Sequence, residues 1–183
     1  MTIPFSWGPT EQIDPQTTVL CDECSYGPHA IELSRALQVR SSPATLFRWL
    51  TQLKVAPYSY DWLDNLGVKS PEYLIPGIDA LSEGQRVMSI FRLGRFVPNR
   101  EFSLLVSAGG LVEKTCGAGV ISYGLQETKS EETLLFCKIK FRATNGIVGK
   151  VTQVLLPWGD FVMMRKQMLR LKALAEAPDA SFC

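Results

Sequence analysis

The sequence predicts an α+β fold: a curved antiparallel β-sheet of about six or seven strands wrapped around one long C-terminal helix, with two short helices after the first strand. Three observations, in chain order, predict it. A period-two run feeding a capped amphipathic segment opens the body at residues 31–53. Short alternating runs punctuated by Gly, Pro and Asn fill residues 86–143. A stretch of roughly thirty residues, 147–177, with helical spacing of apolar side chains closes it.

Residues 1–29 carry Pro4, Gly8, Pro9, Pro15, Gly27 and Pro28, a density of breakers that reads as an extended arm. Ile31, Leu33, Leu37 and Val39 then alternate with Glu32, Ser34, Gln38 and Arg40, the pattern of a half-buried strand. Arg35 falls on its apolar face. Ser42 before Pro43 is an N-cap with proline at the first helical position, and Leu46, Phe47, Leu50 and Leu53 continue at helical spacing over residues 43–53. Pro57 stops that helix. A second short helical or irregular piece, dense in aromatics, spans 58–66, and residues 67–84 form a long connection.

Strands are predicted at 86–91, 94–97 and 102–107, then at 117–126 and 133–143 around a turn at 128–131. In the last of these, Leu135, Cys137, Ile139, Phe141 and Ala143 share one face and Lys138, Lys140 and Arg142 the other, as in a sheet covered on one side. Ile147, Val151, Val154, Trp158, Phe161, Met164, Met168, Leu171 and Ala175 then form one apolar stripe. An element of that length spans ~45 Å if helical. Pro157 and Gly159 predict a kink or break, with Asp160 capping a second half.

The organisation expected is an arm at 1–29, one domain at 30–177 and a tail at 178–183. At 183 residues, 46% hydrophobic and 20% charged, the chain has the mass and composition of one globular domain. Nineteen basic against eighteen acidic side chains argue against a large footprint for nucleic acid or anionic membrane. The N-terminus lacks the basic and apolar regions of a signal peptide, and no apolar run approaches the roughly 18 residues of a membrane span. The expectation is a cytoplasmic protein without integral membrane association. The lone Cys21-Asp22-Glu23-Cys24 has only His29 nearby, short of the ligand set of a structural zinc site, and no cofactor or metal is expected.

Four segments carry a family resemblance. They are Ser42-Pro43-Ala44-Thr45-Leu46-Phe47-Arg48-Trp49-Leu50 after a strand, Pro57-Tyr58-Ser59-Tyr60-Asp61-Trp62-Leu63-Asp64-Asn65, Ser82-Glu83-Gly84-Gln85-Arg86-Val87, and the closing segment from Asp160 to Lys172. In this order they resemble the START-like helix-grip (SRPBCC) superfamily, most of all its polyketide cyclase/dehydrase and lipid transport branch. The match covers about residues 30–177. It implies a sheet wrapped around the last helix and an internal cavity in which family members bind lipids, sterols, polyketides or plant hormones. Some members carry out cyclisation or dehydration. The resemblance carries over no catalytic residues.

An apolar cavity needs few polar groups to orient its ligand. Candidate ligand-binding residues are Arg35, Tyr58, Tyr60, Asp61, Asn65, Tyr123, Phe141, Trp158, Phe161 and Met164. A buried guanidinium needs an anionic partner, so Arg35 either pairs with Asp61, meets a ligand carboxylate, or snorkels out at a strand end. Tyr58, Asp61, Trp62 and Asn65 fall on one helical face and line a pocket mouth or cap the domain. Cys116 and Cys137 read as ordinary strand residues.

With one histidine in the arm, triad-type chemistry is not supported, and the glycines fit no phosphate loop. The function expected is binding of a hydrophobic small molecule such as a lipid, an isoprenoid or an aromatic polyketide-like compound. The alternative is a cyclase or dehydratase in which Tyr58, Tyr60, Asp61 and Arg35 handle an enolate. A third reading makes the arm and residues 67–84 protein-contact surfaces.

Overall fold

The computed structural model describes residues 4–59, 69–88, 90–110, 113–114, 117–129, 132–142 and 146–177. Seven strands form one sheet: β1 (Ser6–Trp7), β2 (Ile31–Val39), β3 (Arg86–Val87), β4 (Phe91–Val97), β5 (Glu101–Val106), β6 (Gly119–Lys129) and β7 (Glu132–Phe141), in the order β1-β2-β7-β6-β5-β4-β3. All pairings are antiparallel except β1 with β2. Helices among the described residues include α1 (Leu20–Glu23), α2 (Pro43–Thr51) and α3 (Gly146–Ala175).

The cap expected for α2 is present, with Ser42 Oγ accepting from Thr45 N–H at 3.2 Å and proline at the helix start. A 3-10 turn at Gln52–Lys54 follows. The second short helix expected at 58–66 lies mostly outside the described residues. The strand expected over 86–91 is instead two elements: Met88 takes a positive φ of 51° between β3 and β4. Gly94 is interior to β4 and sits under the Leu20 side chain, where a Cβ would come within 2.9 Å of Leu20 Cδ2.

Period-two alternation sorts the side chains onto two faces. Directly paired inner positions make rows across the sheet: Leu33, Ile139, Ile121, Leu104 and Leu93 in one, Arg35, Cys137, Tyr123 and Phe102 in the next. α2 and α3 pack on this face, and Leu46, Leu50, Met164, Met168, Leu171 and Leu174 complete the main core.

The outer face departs from the single wet wall that the lysines suggested. Ala36, Val120, Leu134 and Phe136 form a second small core there with Val19 and Cys21 of the arm. The arm is clamped down by Lys138–Asp22 at 2.9 Å and by Arg95, which meets Glu23 at 2.7 Å and Glu101 at 2.9 Å. Glu101 also accepts from Leu20 N–H, and Ser122 Oγ accepts from Cys21 N–H. Burial pushes the Cys21 thiol up to about 12, so this cysteine is a neutral packing residue of that layer.

Of the kink or break expected at Pro157, the break is overturned. Helix α3 runs unbroken from Gly146 to Ala175 with Pro157 inside it and buried. Proline removes one backbone hydrogen bond, but Leu156 before it packs against the core, so tertiary contact carries the helix through. Asp160 is accordingly mid-helix and caps nothing.

Candidate functional site

Where α3 crosses the inner face, a polar seam runs through the apolar core. Arg35 is aimed inward by strand alternation, as its spacing required, and its side chain is 0% exposed. Its partner is Asp160, one helix-face position of α3, with Nη2 donating to Oδ2 at 2.8 Å. Nη1 donates to the carbonyls of Phe5 (2.8 Å) and Ser34 (3.0 Å), and the guanidinium lies 6.0 Å from the centre of the Phe161 ring. These contacts overturn the snorkelling alternative. The expected Arg35–Asp61 pair involves a residue, Asp61, that lies outside the described residues. Among the described residues Arg35 Nε has no acceptor.

The seam continues along the sheet row. Cys137 pairs with Arg35 on one side and Tyr123 on the other. Tyr123 Oη donates to Gln167 Oε1 at 2.6 Å and lies 3.7 Å from Met164 Sδ, while Gln167 Nε2 donates to the Pro57 carbonyl at 2.5 Å. Helix α3 is thus tied to β2, to β6 and to the segment after α2.

Desolvation dominates the electrostatics here. Burial pushes Asp160 up to about 6, with the neighbouring Arg35 charge and its hydrogen bond only partly opposing. Burial, reinforced by Asp160, raises the Cys137 thiol, and burial with Cys137 and Asp160 nearby raises the Tyr123 phenol. Thiol and phenol are therefore neutral at neutral pH. Of the seam's raised groups, Asp160, pushed up to about 6, lies nearest to neutral pH.

Of the candidates from sequence, Arg35, Tyr123, Phe161 and Met164 come together at this seam. Tyr58 does not join them. It is buried, stacked edge-on against Trp49 with ring centres 6.2 Å apart, and its hydroxyl accepts from Gln52 and donates to the Pro71 carbonyl. Phe141 is buried where Gly119 makes room for its ring, a Cβ there falling 2.2 Å from Phe141 Cδ1. Trp158 is on the outward flank of α3, half exposed, with its ring edge-on to Phe161. Tyr60 and Asn65, like Asp61, lie outside the described residues. The sequence reading missed Asp160 as a charge partner and Gln167 altogether. The signal available was their spacing: 160, 164, 167 and 168 share one helical face.

Three clefts stand out among the described residues, and all are open at the surface. The largest, about 840 Å³, lies between the arm, the start of α2 and the β4–β5 turn, with Asp14, Ser42, Asn99, Arg100 and Gln126 among its walls. A second, about 450 Å³, runs along the outer face of α3, and a third lies beside Phe5, Ile31 and Gln153.

Solved structures share this architecture. Major latex-like protein 151 of Panax ginseng matches with a TM-score of 0.53 at 14% identity, covering 82% of this chain and 100% of that one. Protein MLL2253 of Mesorhizobium loti matches at 0.51 and 16%, covering 78% and 95%. Truncated norcoclaurine synthase of Thalictrum flavum matches at 0.50 and 10%, covering 80% and 94%. The fold is a helix grip. No protein-family model matches the chain, and no curated protein matches it in sequence. In this helix grip the seam lies between the two layers that define the fold, the sheet and the C-terminal helix. No helix among the described residues is long and apolar enough to cross a membrane.

Proposed function

We propose that the protein holds a hydrophobic small molecule, such as a lipid, an isoprenoid or an aromatic polyketide-like compound, between sheet and α3, its polar end directed to Arg35. The observation that carries this reading is the buried Arg35 guanidinium, whose Nε has no acceptor among the described residues, set in a polar seam within the apolar core. A buried donor left without an acceptor costs about 1–3 kcal/mol, more when charged, and a ligand oxygen would recover it. The resemblance in sequence and the helix-grip fold support the same reading.

The test is native mass spectrometry of protein purified from its own host, followed by titration with fatty, isoprenoid and aromatic acids. Binding by the wild type and loss in the paired substitution Arg35→Met with Asp160→Leu, which leaves no buried charge unpartnered, is the expected result. No co-purifying ligand and no binding across the panel would overturn it.

A second reading, an acid–base enzyme of the cyclase or dehydratase kind, is favoured by one observation: a buried carboxyl, pushed up to about 6 by burial, held 2.8 Å from a buried guanidinium. Asp160 takes the role that sequence reasoning gave to Asp61. Under this reading Asp160→Asn retains ligand binding and loses turnover.

A further inference from the structure

Helix α3 has a second apolar face that the fold leaves uncovered. Val151, Val154, Leu155, Trp158 and Val162 recur at steps of three and four on its outward side, with Val154 63%, Leu155 62% and Trp158 51% exposed. A helix packed on one sheet normally turns polar side chains outward. Contiguous exposed apolar surface of this kind marks an interaction site.

The charge around the stripe says what it meets. From Gly146 to Ala175 the helix carries Lys150, Arg165, Lys166, Arg170 and Lys172 against a single acid, Asp160, which is turned inward and paired with Arg35; Arg170 is paired with Glu72 and Lys172 with Glu176, so those two add nothing to the excess. Lys150, Arg165 and Lys166 are exposed beside the stripe. The groove of about 450 Å³ on this side has Phe161, Val162 and Leu169 as apolar lining and Arg165, Lys166 and Arg170 at its walls. Near-neutral net charge of the whole chain conceals this local excess.

We propose that the outer face of α3 docks the protein on the surface of an anionic phospholipid bilayer. The valines, Leu155 and Trp158 enter the boundary between headgroups and acyl chains, where tryptophan is favoured, and the cations meet lipid phosphates. Each basic side chain near such a surface adds about 1 kcal/mol of attraction. Pairing with a second copy is disfavoured on the same grounds. Lys150 and Lys166 are equidistant in sequence from Trp158, so an antiparallel helix pair centred on Trp158 sets like charges against each other. The inference is independent of the ligand reading, because it uses the opposite face of the helix.

The experiment is co-sedimentation of the full chain with vesicles of phosphatidylcholine alone and of phosphatidylcholine mixed with phosphatidylserine. Binding to the mixed vesicles, weakened at least about tenfold by raising salt to 1 M, is expected. Trp158→Glu should abolish binding, and Lys150→Glu with Lys166→Glu should weaken it about tenfold or more. The thermal melt of Trp158→Glu should match the wild type, since that side chain is outside the core. Brominated acyl chains should quench tryptophan fluorescence in the wild type and not in Trp158→Glu. Absence of vesicle binding, or binding unchanged in Trp158→Glu, overturns the proposal. So does a dimer in solution that Trp158→Glu dissociates, which would assign the face to a second copy.

Discussion

Asp160→Asn removes the titrating proton of the seam while keeping an oxygen to which Arg35 can donate. In the folded chain burial lifts Asp160 from 3.8 to about 6. A carboxyl whose folded value lies above its unfolded value binds its proton more tightly when folded. Its stabilising contribution is therefore full below about pH 4 and is lost as pH rises through about 6. The gap of ~2 units, at about 1.36 kcal/mol each, amounts to about 3 kcal/mol. About 2 kcal/mol of that falls between pH ~4.5 and ~7.5.

Urea unfolding of wild type and Asp160→Asn across this window isolates the effect, because every other titrating group is common to both. The wild-type stability minus that of the variant should fall by about 2 kcal/mol as pH rises from ~4.5 to ~7.5. A difference flat with pH would show that Asp160 is not desolvated. A difference that grows with pH would show that Arg35 dominates and holds the carboxyl below its ordinary value. Either result refutes the reasoning.

Tyr123→Phe leaves Gln167 Oε1 without its 2.6 Å donor inside the core, so it should cost about 1–3 kcal/mol, read as a lowered urea midpoint at unchanged slope. Gly124→Ala places a methyl 2.0 Å from Phe136 Cζ in the outer-face core and should cost about 1–3 kcal/mol in thermal unfolding, with Phe136→Leu recovering part of it.

The parts of the fold set by local chemistry were legible in the sequence. Ser42-Pro43 marks the start of α2, strand alternation places Arg35 inward, and the β6–β7 hairpin follows from its apolar period. The partner of Arg35 was not legible, because Asp160 lies 125 residues away and the neighbouring Pro157 and Gly159 make it resemble a helix cap. The inner face of α3 was misread over its first half for a different reason. Val154, Leu155 and Leu156 are consecutive, so apolar periodicity there fits more than one helical face, and only packing selects the buried one. Met164, Met168 and Leu171, flanked by charges, have one apolar face and were placed correctly. The arm was opaque because Val19 and Cys21 look unremarkable until Phe136 and Leu134 need covering.

That covering makes the first residues inseparable from the rest. Shortening the chain to start at residue 30 would strip β1 from β2 and lay bare the back of the sheet around Phe136, offering neighbouring molecules an unpaired strand margin beside a greasy surface. Such a fragment should clump on expression, and its behaviour would say nothing about the intact protein. Tags and fusions belong on flexible spacers ahead of the arm, never in place of it.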